Sequence, residues 1–259
     1  MVIKEDIYND GTYIDNNKTL HIEDSEYKFS SIKLLLESVK FKENTTVKLL
    51  DVGGGAGIIG KFVCEYFIEK GISVEFYALD LSKEMLLVQE KNNPYIKKII
   101  NQNILDISEK DFDIIFMIDV IEHIPNYQDV AKKISKISKY SIYNIPLEVN
   151  LFDKLRNIYF KGQYYKEQER TIGHIHFFSY LSALNLMKKY YQPVKWFFPD
   201  QSSHILNTDS IEYRQQKANS LRALELKISK KIYKYVNFLS PFLIQGSLFV
   251  LNKKSREKI

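Results

Sequence analysis

The sequence contains little cysteine and no long apolar run, and each absence excludes a class of protein. A single cysteine, Cys64, in 259 residues excludes an intrachain disulfide framework. No apolar stretch is long enough to span a bilayer, and the first residues, Met-Val-Ile-Lys-Glu-Asp, lack the apolar core of a signal peptide. We therefore expect a cytoplasmic globular protein in which Cys64 is a small core residue.

Positive charge is in only slight excess. The 37 lysines and arginines outnumber the 32 aspartates and glutamates, so the net charge is +5 and the isoelectric point is about 8.9. This excess suits nucleic acid, a nucleotide-linked substrate or a membrane surface as a partner, but it does not select among them. With 45% hydrophobic residues, the chain can bury the core of one large domain, or of one domain with an appendage.

Glycine is scarce, with ten residues in the chain, yet it concentrates at one place. Residues 47–60 read Val-Lys-Leu-Leu-Asp-Val-Gly-Gly-Gly-Ala-Gly-Ile-Ile-Gly. An apolar strand that ends near a carboxylate, a glycine turn and a following helix are how an α/β sheet presents its backbone to a nucleotide-like ligand. Glycine suits such a turn because it has no side chain to hold the ligand away.

Two interpretations fit this turn. Gly55, Gly57 and Gly60 spell G-x-G-x-x-G, and Asp80 follows about twenty residues later, as in a dinucleotide-binding turn. Asp51, however, would repel a pyrophosphate so close to the turn, because like charges in a partly desolvated site are costly. The carboxylate therefore favours a cationic ligand, although the glycine spacing alone also allows NAD.

Strands alternate with helices from about residue 47 to residue 190, which predicts a parallel, doubly wound α/β sheet. Five strands are expected at 47–52, 73–80, 98–101, 112–118 and 140–145. Two further strand candidates lie at 195–198 and 246–252. Helices are expected at 29–39, 58–70, 83–91 and 127–138, and another begins at Ser179.

Two motifs resemble those of the class I S-adenosylmethionine-dependent methyltransferases. The D-x-G-x-G-x-G pattern that begins at Asp51 resembles motif I of that family. The segment Phe-Asp-Ile-Ile-Phe-Met-Ile-Asp-Val-Ile-Glu-His-Ile-Pro, which begins at Phe112, resembles the D-V-x-E-H-I/L signature after strand four of its small-molecule members. The resemblance covers about residues 47–146. It implies a Rossmann-like, seven-stranded sheet that is mostly parallel, with an antiparallel last strand at 246–252 and helical insertions.

The resemblance also implies S-adenosylmethionine as the cofactor. Asp51 would lie beside the ammonium group of its methionine moiety, and Asp80 would accept both hydrogen bonds of the ribose diol. Asn103, or alternatively Asp106, would meet the adenine amino group. Gly60 would let the next helix pack close to the sheet. The expected cofactor-binding residues are Asp51, Gly53, Gly54, Gly55, Gly57, Asp80, Leu81, Asn103, Ile104 and Asp119.

Methyl transfer to a neutral hydroxyl needs a base, and histidine is the natural base near neutral pH. His123 follows the fourth strand, at the sheet edge where ligands bind. His174 and His176 lie in Gly-His-Ile-His-Phe-Phe-Ser, which resembles the G-H-x-x-x-F-S stretch near the acceptor in many glycan and natural-product methyltransferases. These three histidines are the candidate catalytic residues. No metal is expected, because no carboxylate at a suitable spacing accompanies His174 and His176.

The chain is expected to divide into an N-terminal part, residues 1–45, and a methyltransferase domain, residues 46–259. The first part loosely resembles the arm that closes over the site in sugar- and glycan-modifying relatives. Within the domain, residues 148–178 are expected to form an insertion on the acceptor side. The pattern of residues 215–235 predicts a lysine-rich amphipathic helix, which could lie on a membrane surface or present an ordinary solvated face.

The sequence therefore predicts a cytoplasmic O-methyltransferase acting on a small molecule or sugar hydroxyl, in surface-glycan or natural-product biosynthesis. Three alternatives remain open at this point: an NAD-dependent oxidoreductase, a nucleic-acid methyltransferase, and a scaffold that binds the cofactor without turnover. Nucleic acid is not the expected partner, and the charge pattern leaves peripheral membrane contact open. The sequence does not specify an oligomeric state.

Overall fold

The alternating pattern folds as one seven-stranded sheet in the computed structural model, which describes Leu20 and residues 22–255. The strands lie in the order β3-β2-β1-β4-β5-β7-β6. Strand β7 runs antiparallel to its neighbours β5 and β6, which confirms the predicted mixed sheet. The strands are β1 Thr46–Val52, β2 Ser73–Leu79, β3 Ile96–Ile100, β4 Phe112–Ile118, β5 Ser138–Leu147, β6 Tyr191–Phe197 and β7 Gly246–Lys254.

Helices connect these strands, and several begin at polar residues that cap them. The hydroxyl of Ser82 accepts a hydrogen bond from the Met85 amide at 3.3 Å, and Ser179 caps its helix in the same way. Short 3-10 helices lie at Ile22–Asp24, Ile121–His123 and Asn237–Leu239. The α-helices are α1 Ser25–Leu36, α2 Ile58–Ile68, α3 Lys83–Asn92, α4 Tyr127–Ile137, α5 Leu151–Tyr159, α6 Tyr164–Thr171, α7 Tyr180–Tyr190, α8 Gln201–Asn207, α9 Ile211–Ala218, α10 Ser220–Val236 and α11 Ser240–Leu243.

The two faces of the sheet are covered by different helices. On one face, α1 and α2 bury Ile32 and Phe67, and Cys64 belongs to the same core, as its position predicts. On the other face, α4 and α7 bury Ile134 and Met187. Adjacent residues of β4 belong to different cores, which explains why this strand is apolar throughout. The sheet is therefore doubly wound, and its ligand-binding edge lies at the carboxyl ends of the parallel strands.

Gly60 has the packing role expected of it. A Cβ at this position would lie 2.5 Å from the Phe76 ring and 3.1 Å from a carboxylate oxygen of Asp51. Any side chain would push α2 away from β2 and disturb Asp51, so glycine sets the spacing between helix and sheet.

Three segments differ from the sequence-based expectations. Helix α1 begins at Ser25 rather than at residue 29, which brings Lys28 into an ordered helix. The predicted lysine-rich helix at 215–235 is two helices, because Asn219 ends α9 and caps α10. Strand β6 begins at Tyr191, four residues before the expected strand at 195–198.

The predicted N-terminal arm lies largely outside the described residues. Residues 1–19 and His21 belong to that part of the chain, whereas α1 packs against α2 and contributes to the site. In the part of the chain that the structure describes, no helix is both long enough and apolar enough to cross a bilayer.

Candidate functional site

The glycine turn after β1 has a backbone that side chains would disrupt. Gly53 and Gly55 have φ values of 65° and 53°, in the left-handed region that favours glycine. A Cβ at Gly53 would lie 2.9 Å from a methyl carbon of Val120, and one at Gly54 would lie 2.5 Å from the Asp51 carboxylate. The turn thus exposes backbone beside a buried acid, as a close-fitting ligand requires.

Two cavities open at the carboxyl edge of the sheet, on either side of this turn. The larger one, of about 400 Å³, is lined by Asp51, Gly54 and residues of α1 and of the segment after β5. The smaller one, of about 180 Å³, is lined by residues that follow β2 and β3. Four residues line both cavities: Gly53, Gly55, Asp119 and His123. A ligand that fills both would pass directly over the glycine turn.

The expected cofactor-binding residues divide between these cavities. Asp51, Gly53, Gly54 and Gly55 line the larger one, whereas Asp80, Leu81, Asn103 and Ile104 line the smaller one. Asp106, the alternative to Asn103, lines neither and is exposed. Gly57 also lies outside both, and a Cβ there would meet the backbone of Gln89 at 2.9 Å. The geometry of Gly57 therefore serves the packing of α2 against α3.

Asp51, which is buried, and Asp80, which is half-buried, lie at the ends of neighbouring strands. Burial, together with the nearby charge of Asp80, raises the pKa of Asp51 to about 7. Burial raises the pKa of Asp80 to about 6, although its Oδ1 accepts a hydrogen bond from the Ser82 amide at 2.9 Å. Gln89 donates to the other oxygen at 3.4 Å. Both carboxyl groups would be stabilised in the ionised form by a ligand that carries positive charge or hydrogen-bond donors.

Asp119 stands between the two cavities in a left-handed backbone conformation, with a φ of 55°. One of its carboxylate oxygens accepts a hydrogen bond from the Asn144 amide at 2.6 Å. The other lies 2.8 Å from the ammonium nitrogen of Lys28, which reaches it from α1. Strands β4 and β5 and the N-terminal helix therefore meet at this carboxylate.

Two of the predicted histidines lie side by side in the wall of the larger cavity. The rings of His123 and His174 are 4.8 Å apart and nearly perpendicular. Nδ1 of His123 donates to the Gly173 carbonyl at 3.0 Å, and Nδ1 of His174 lies 2.8 Å from a carboxylate oxygen of Glu148. Since Nδ1 carries the hydrogen in each contact, the neutral form of each ring has its lone pair at Nε2.

Glu122 faces both of these Nε2 atoms. Its Oε1 lies 3.9 Å from Nε2 of His123 and 3.9 Å from Nε2 of His174. The side chain is fully buried, and neither carboxylate oxygen has a hydrogen-bond partner among the described residues. Burial and the nearby Asp119 raise the pKa of Glu122 well above its usual range, and burial beside His174 lowers the pKa of His123 to about 4.

His176, the third predicted catalytic residue, lies elsewhere. Its Nε2 is 3.3 Å from the Pro125 carbonyl, and its ring packs against Tyr127 with 4.5 Å between centroids. It lines neither cavity. The backbone amides of Ile175 and His176 donate to the Glu122 carbonyl, so this segment fixes the position of His174 beside the cavity.

Three polar residues of the larger cavity are not identified as site residues by the sequence. Glu148 directly follows β5, at the same sheet edge as Asp51 and Asp80, so the strand-end rule could have identified it. Glu122 belongs to the D-V-x-E-H-I motif, which does not by itself distinguish a role in the turn from one in the cavity. No sequence pattern identifies Lys28 as a site residue, because only the packing of α1 brings it to the cavity.

Comparison with known proteins identifies the same region of the chain. A family model described as a methyltransferase domain matches residues 50–139. The chain is 28% identical to (S)-coclaurine N-methyltransferase of Papaver somniferum over 136 residues. This match covers 50% of the chain and 35% of the plant protein, so the chain spans about a third of the length of that relative.

Solved structures share the fold at low sequence identity. A mycolic acid cyclopropane synthase, complexed with S-adenosylhomocysteine, superposes with a TM-score of 0.60 and 16% identity over 88% of this chain and 85% of the other. A phosphoethanolamine N-methyltransferase of Haemonchus contortus superposes with a TM-score of 0.55 and 14% identity, over 88% of this chain and 52% of the other. At these sequence identities the likeness establishes the fold alone.

Proposed function

We propose that the chain is a class I S-adenosylmethionine-dependent methyltransferase that binds this cofactor and methylates a small-molecule acceptor. The methyltransferase-domain model that matches residues 50–139 and the partial match to a plant N-methyltransferase support this proposal. The observation that carries the proposal is the pair of carboxyl groups on the two sides of the glycine turn, the buried Asp51 and the half-buried Asp80. A pyrophosphate would be repelled by Asp51. A ligand with an ammonium group at one end and a ribose diol at the other fits both acids.

Each part of S-adenosylmethionine has complementary residues in one of the two cavities. Asp80 would accept hydrogen bonds from the ribose hydroxyls, and Asn103 would accept one from the adenine amino group. Asp51 would pair with the ammonium group, while Gly53 and Gly55 let the backbone approach the ligand. When bound, the cofactor supplies an electrophilic methyl group on a sulfonium. The shared wall between the cavities would then hold the methyl group toward the larger cavity.

We further propose that the acceptor is a hydroxyl of a small molecule or sugar, held in the larger cavity. The carbon–oxygen bond forms as the carbon–sulfur bond breaks, and the hydroxyl proton must be taken up. His123 and His174 support this proposal, because the neutral form of each ring has an Nε2 lone pair in the wall of the larger cavity. Glu148 and the Gly173 carbonyl hold the two rings in that orientation.

An amine acceptor is the second candidate. The plant relative named above is an N-methyltransferase, and the larger cavity carries several acidic side chains that would attract an ammonium group. Assaying matched pairs of acceptors that differ only in a hydroxyl or an amine would separate the two candidates. Methylation of the amines alone would remove the hydroxyl proposal and leave the methyltransferase itself intact.

The cofactor assignment predicts a selective gain in thermal stability. S-adenosylhomocysteine at about 100 times its dissociation constant should stabilise the folded protein by about 2.7 kcal/mol, whereas NAD should have no effect. Differential scanning calorimetry with each ligand measures this. Stabilisation by NAD and not by S-adenosylhomocysteine would instead support the oxidoreductase. Tight cofactor binding without methyl transfer from labelled S-adenosylmethionine to any fraction of host lysate would support the scaffold.

A further inference from the structure

The larger cavity contains a group of side chains that the cofactor does not require. Glu122, His123 and His174 each place a possible ligand atom within 4.8 Å of the other two. We propose that these three side chains bind one divalent cation of the first transition series, with its open coordination positions directed into the larger cavity. The inference rests on the proposed function only in that an acceptor oxygen would occupy one of those positions.

The hydrogen bonds of the two rings support metal binding. A metal-binding histidine usually donates its other ring N–H to a carboxylate or a backbone carbonyl, which fixes the ring. His174 makes this contact with Glu148 and His123 makes it with Gly173, so both Nδ1 atoms are engaged. Nε2 of each ring is the atom left for a cation, and each Nε2 lies 3.9 Å from the same carboxylate oxygen of Glu122.

The state of Glu122 is the second, independent observation. A buried carboxyl group whose oxygens both lack a hydrogen-bond partner among the described residues is costly, and such groups in native proteins have a specific reason. A cation would provide the missing partner. The neighbouring acids Asp119 and Glu148 add negative potential at the same place.

A modest adjustment would bring the three ligand atoms to coordination distances. Ligand atoms about 2.1 Å from a shared tetrahedral zinc ion lie about 3.4 Å apart. The two distances of 3.9 Å from Glu122 would therefore have to shorten by about 0.5 Å, and any separation near 4.8 Å by about 1.4 Å. Side-chain rotation can supply such movements, because His123 and His174 both line the larger cavity.

The ligand set indicates which cations are suitable. Two imidazoles and one carboxylate suit iron, zinc and other first-row divalent ions, and leave positions open for a substrate. A hydroxyl bound there would lose its proton more readily, because the cation stabilises the oxyanion. His123 and His174 would then act as ligands that position the acceptor rather than as bases.

Calorimetric titration of chelator-treated protein with Zn²⁺ or Mn²⁺ alone tests this site. The unmodified protein should bind one equivalent. Glu122→Gln and His174→Ala should each weaken binding by at least tenfold, and Glu148→Gln should weaken it by roughly 10- to 100-fold, because that residue orients a ligand. His176→Ala is the matched control, two residues from His174 but outside the cavity, and should bind as tightly as the unmodified protein.

S-adenosylhomocysteine binding, measured on the same samples, separates the two proposals. Cofactor binding without saturable Zn²⁺ or Mn²⁺ binding would overturn the metal site and leave the methyltransferase untouched. Equal metal affinity in Glu122→Gln, His174→Ala and His176→Ala would also overturn it, since the ion would then lie elsewhere. Metal binding that follows the predicted order, in protein that does not bind the cofactor, would support the site and refute the proposed function.

A different observation carries a second inference, on the outer surface. Helices α5 and α10 expose apolar side chains at helical spacing, where a solvated helix would expose polar ones. Arg156 of α5 forms an ion pair with Glu225 of α10, which joins the two helices. We call these exposed side chains the apolar patch: Leu151, Leu155, Ile158, Tyr159, Leu221, Leu224, Ile228 and Tyr235.

Lysines accompany the apolar patch and indicate what it binds. Lys227, Lys230, Lys231 and Lys234 all lie on α10, between and beside its exposed leucine, isoleucine and tyrosine. An apolar stripe flanked by lysines is the pattern of a helix that lies in the interface of an anionic bilayer. We infer that the apolar patch docks the protein on a membrane surface that contains anionic lipid.

Co-sedimentation with vesicles tests the membrane inference. The protein should bind vesicles of phosphatidylcholine with phosphatidylserine, bind pure phosphatidylcholine far less, and lose binding as salt is raised. Lys230→Glu should weaken binding at least about fivefold, the equivalent of about 1 kcal/mol for one lysine. Leu224→Ser and Ile158→Ser should also weaken it, whereas Leu87→Ser, an exposed leucine on α3, should not.

Two results would contradict this inference. Equal binding to both kinds of vesicle would show that the lysines do not interact with the anionic lipid headgroups. Self-association that is lost in Leu224→Ser and Ile158→Ser, without vesicle binding, would identify a second copy of the chain as the occupant of the apolar patch.

Discussion

Replacing Asp51 with alanine is expected to weaken S-adenosylmethionine binding by about 2 to 5 kcal/mol, the usual loss when one member of a buried charge pair is removed. The residue is 4% exposed and borders the larger cavity, and a neutral water molecule in the space left by the carboxylate would not restore the charge pair. Isothermal titration calorimetry measures the change. Asp113→Asn is the matched control, because the Asp113 carboxylate bonds Lys48 and Lys139 outside both cavities.

The raised pKa of Asp51 predicts that cofactor affinity depends on pH. In the free protein the pKa of Asp51 is raised to about 7, so the group is largely protonated below that pH. A cationic ligand favours the ionised form, and binding at lower pH must therefore expel a proton. Affinity should rise from about pH 6 to about pH 8, by up to about tenfold per unit below the pKa.

Asp51→Asn should remove the upper part of this rise. The remaining change should move toward about pH 6, where Asp80 titrates in the free protein. Affinity that is independent of pH in the unmodified protein, or a rise that persists unchanged in Asp51→Asn, would show that the Asp51 carboxyl group does not face the cation.

Asp80→Ala should weaken S-adenosylhomocysteine binding by about 1.5 to 3 kcal/mol, because hydrogen bonds to the charged carboxylate would be lost. A 2′-deoxy analogue of the ligand gives a sharper measurement. The unmodified protein should prefer the normal ligand, and Asp80→Ala should bind both forms about equally. Asp106→Ala, in an exposed position that lines neither cavity, should keep the preference. A preference that survives in Asp80→Ala would place the ribose elsewhere.

The sheet and its acidic edge can be predicted from local sequence. Strand and helix periods alternate clearly, and parallel strands bring their carboxyl ends to one edge, so the strand pattern alone assigns Asp51 and Asp80 to that edge. The exposed face of helix α10 is harder to predict, because the apolar residues at its surface have the same period as buried ones. A single sequence cannot distinguish a helix whose apolar face is buried from one whose apolar face is exposed to solvent.

The histidine cluster cannot be predicted in full for a different reason. The spacing pairs His174 with His176, which are neighbours in the chain, and argues against a metal because no carboxylate accompanies them. The structure instead pairs His174 with His123 and supplies Glu122, from an element about fifty residues earlier. The docking of the segment after α6 on the Glu122 carbonyl creates this arrangement, and no local pattern encodes it.

Under the proposed function, the four residues that line both cavities would make cofactor and acceptor binding thermodynamically dependent on each other. Any ligand that displaces the Asp119 carboxylate or the His123 ring changes both binding sites at once. The resulting coupling must be reciprocal: the factor by which the cofactor tightens or weakens acceptor binding is the factor by which the acceptor alters cofactor binding. Lys28 of α1 forms an ion pair with Asp119, so a change in the position of the N-terminal helix would alter this coupling as well.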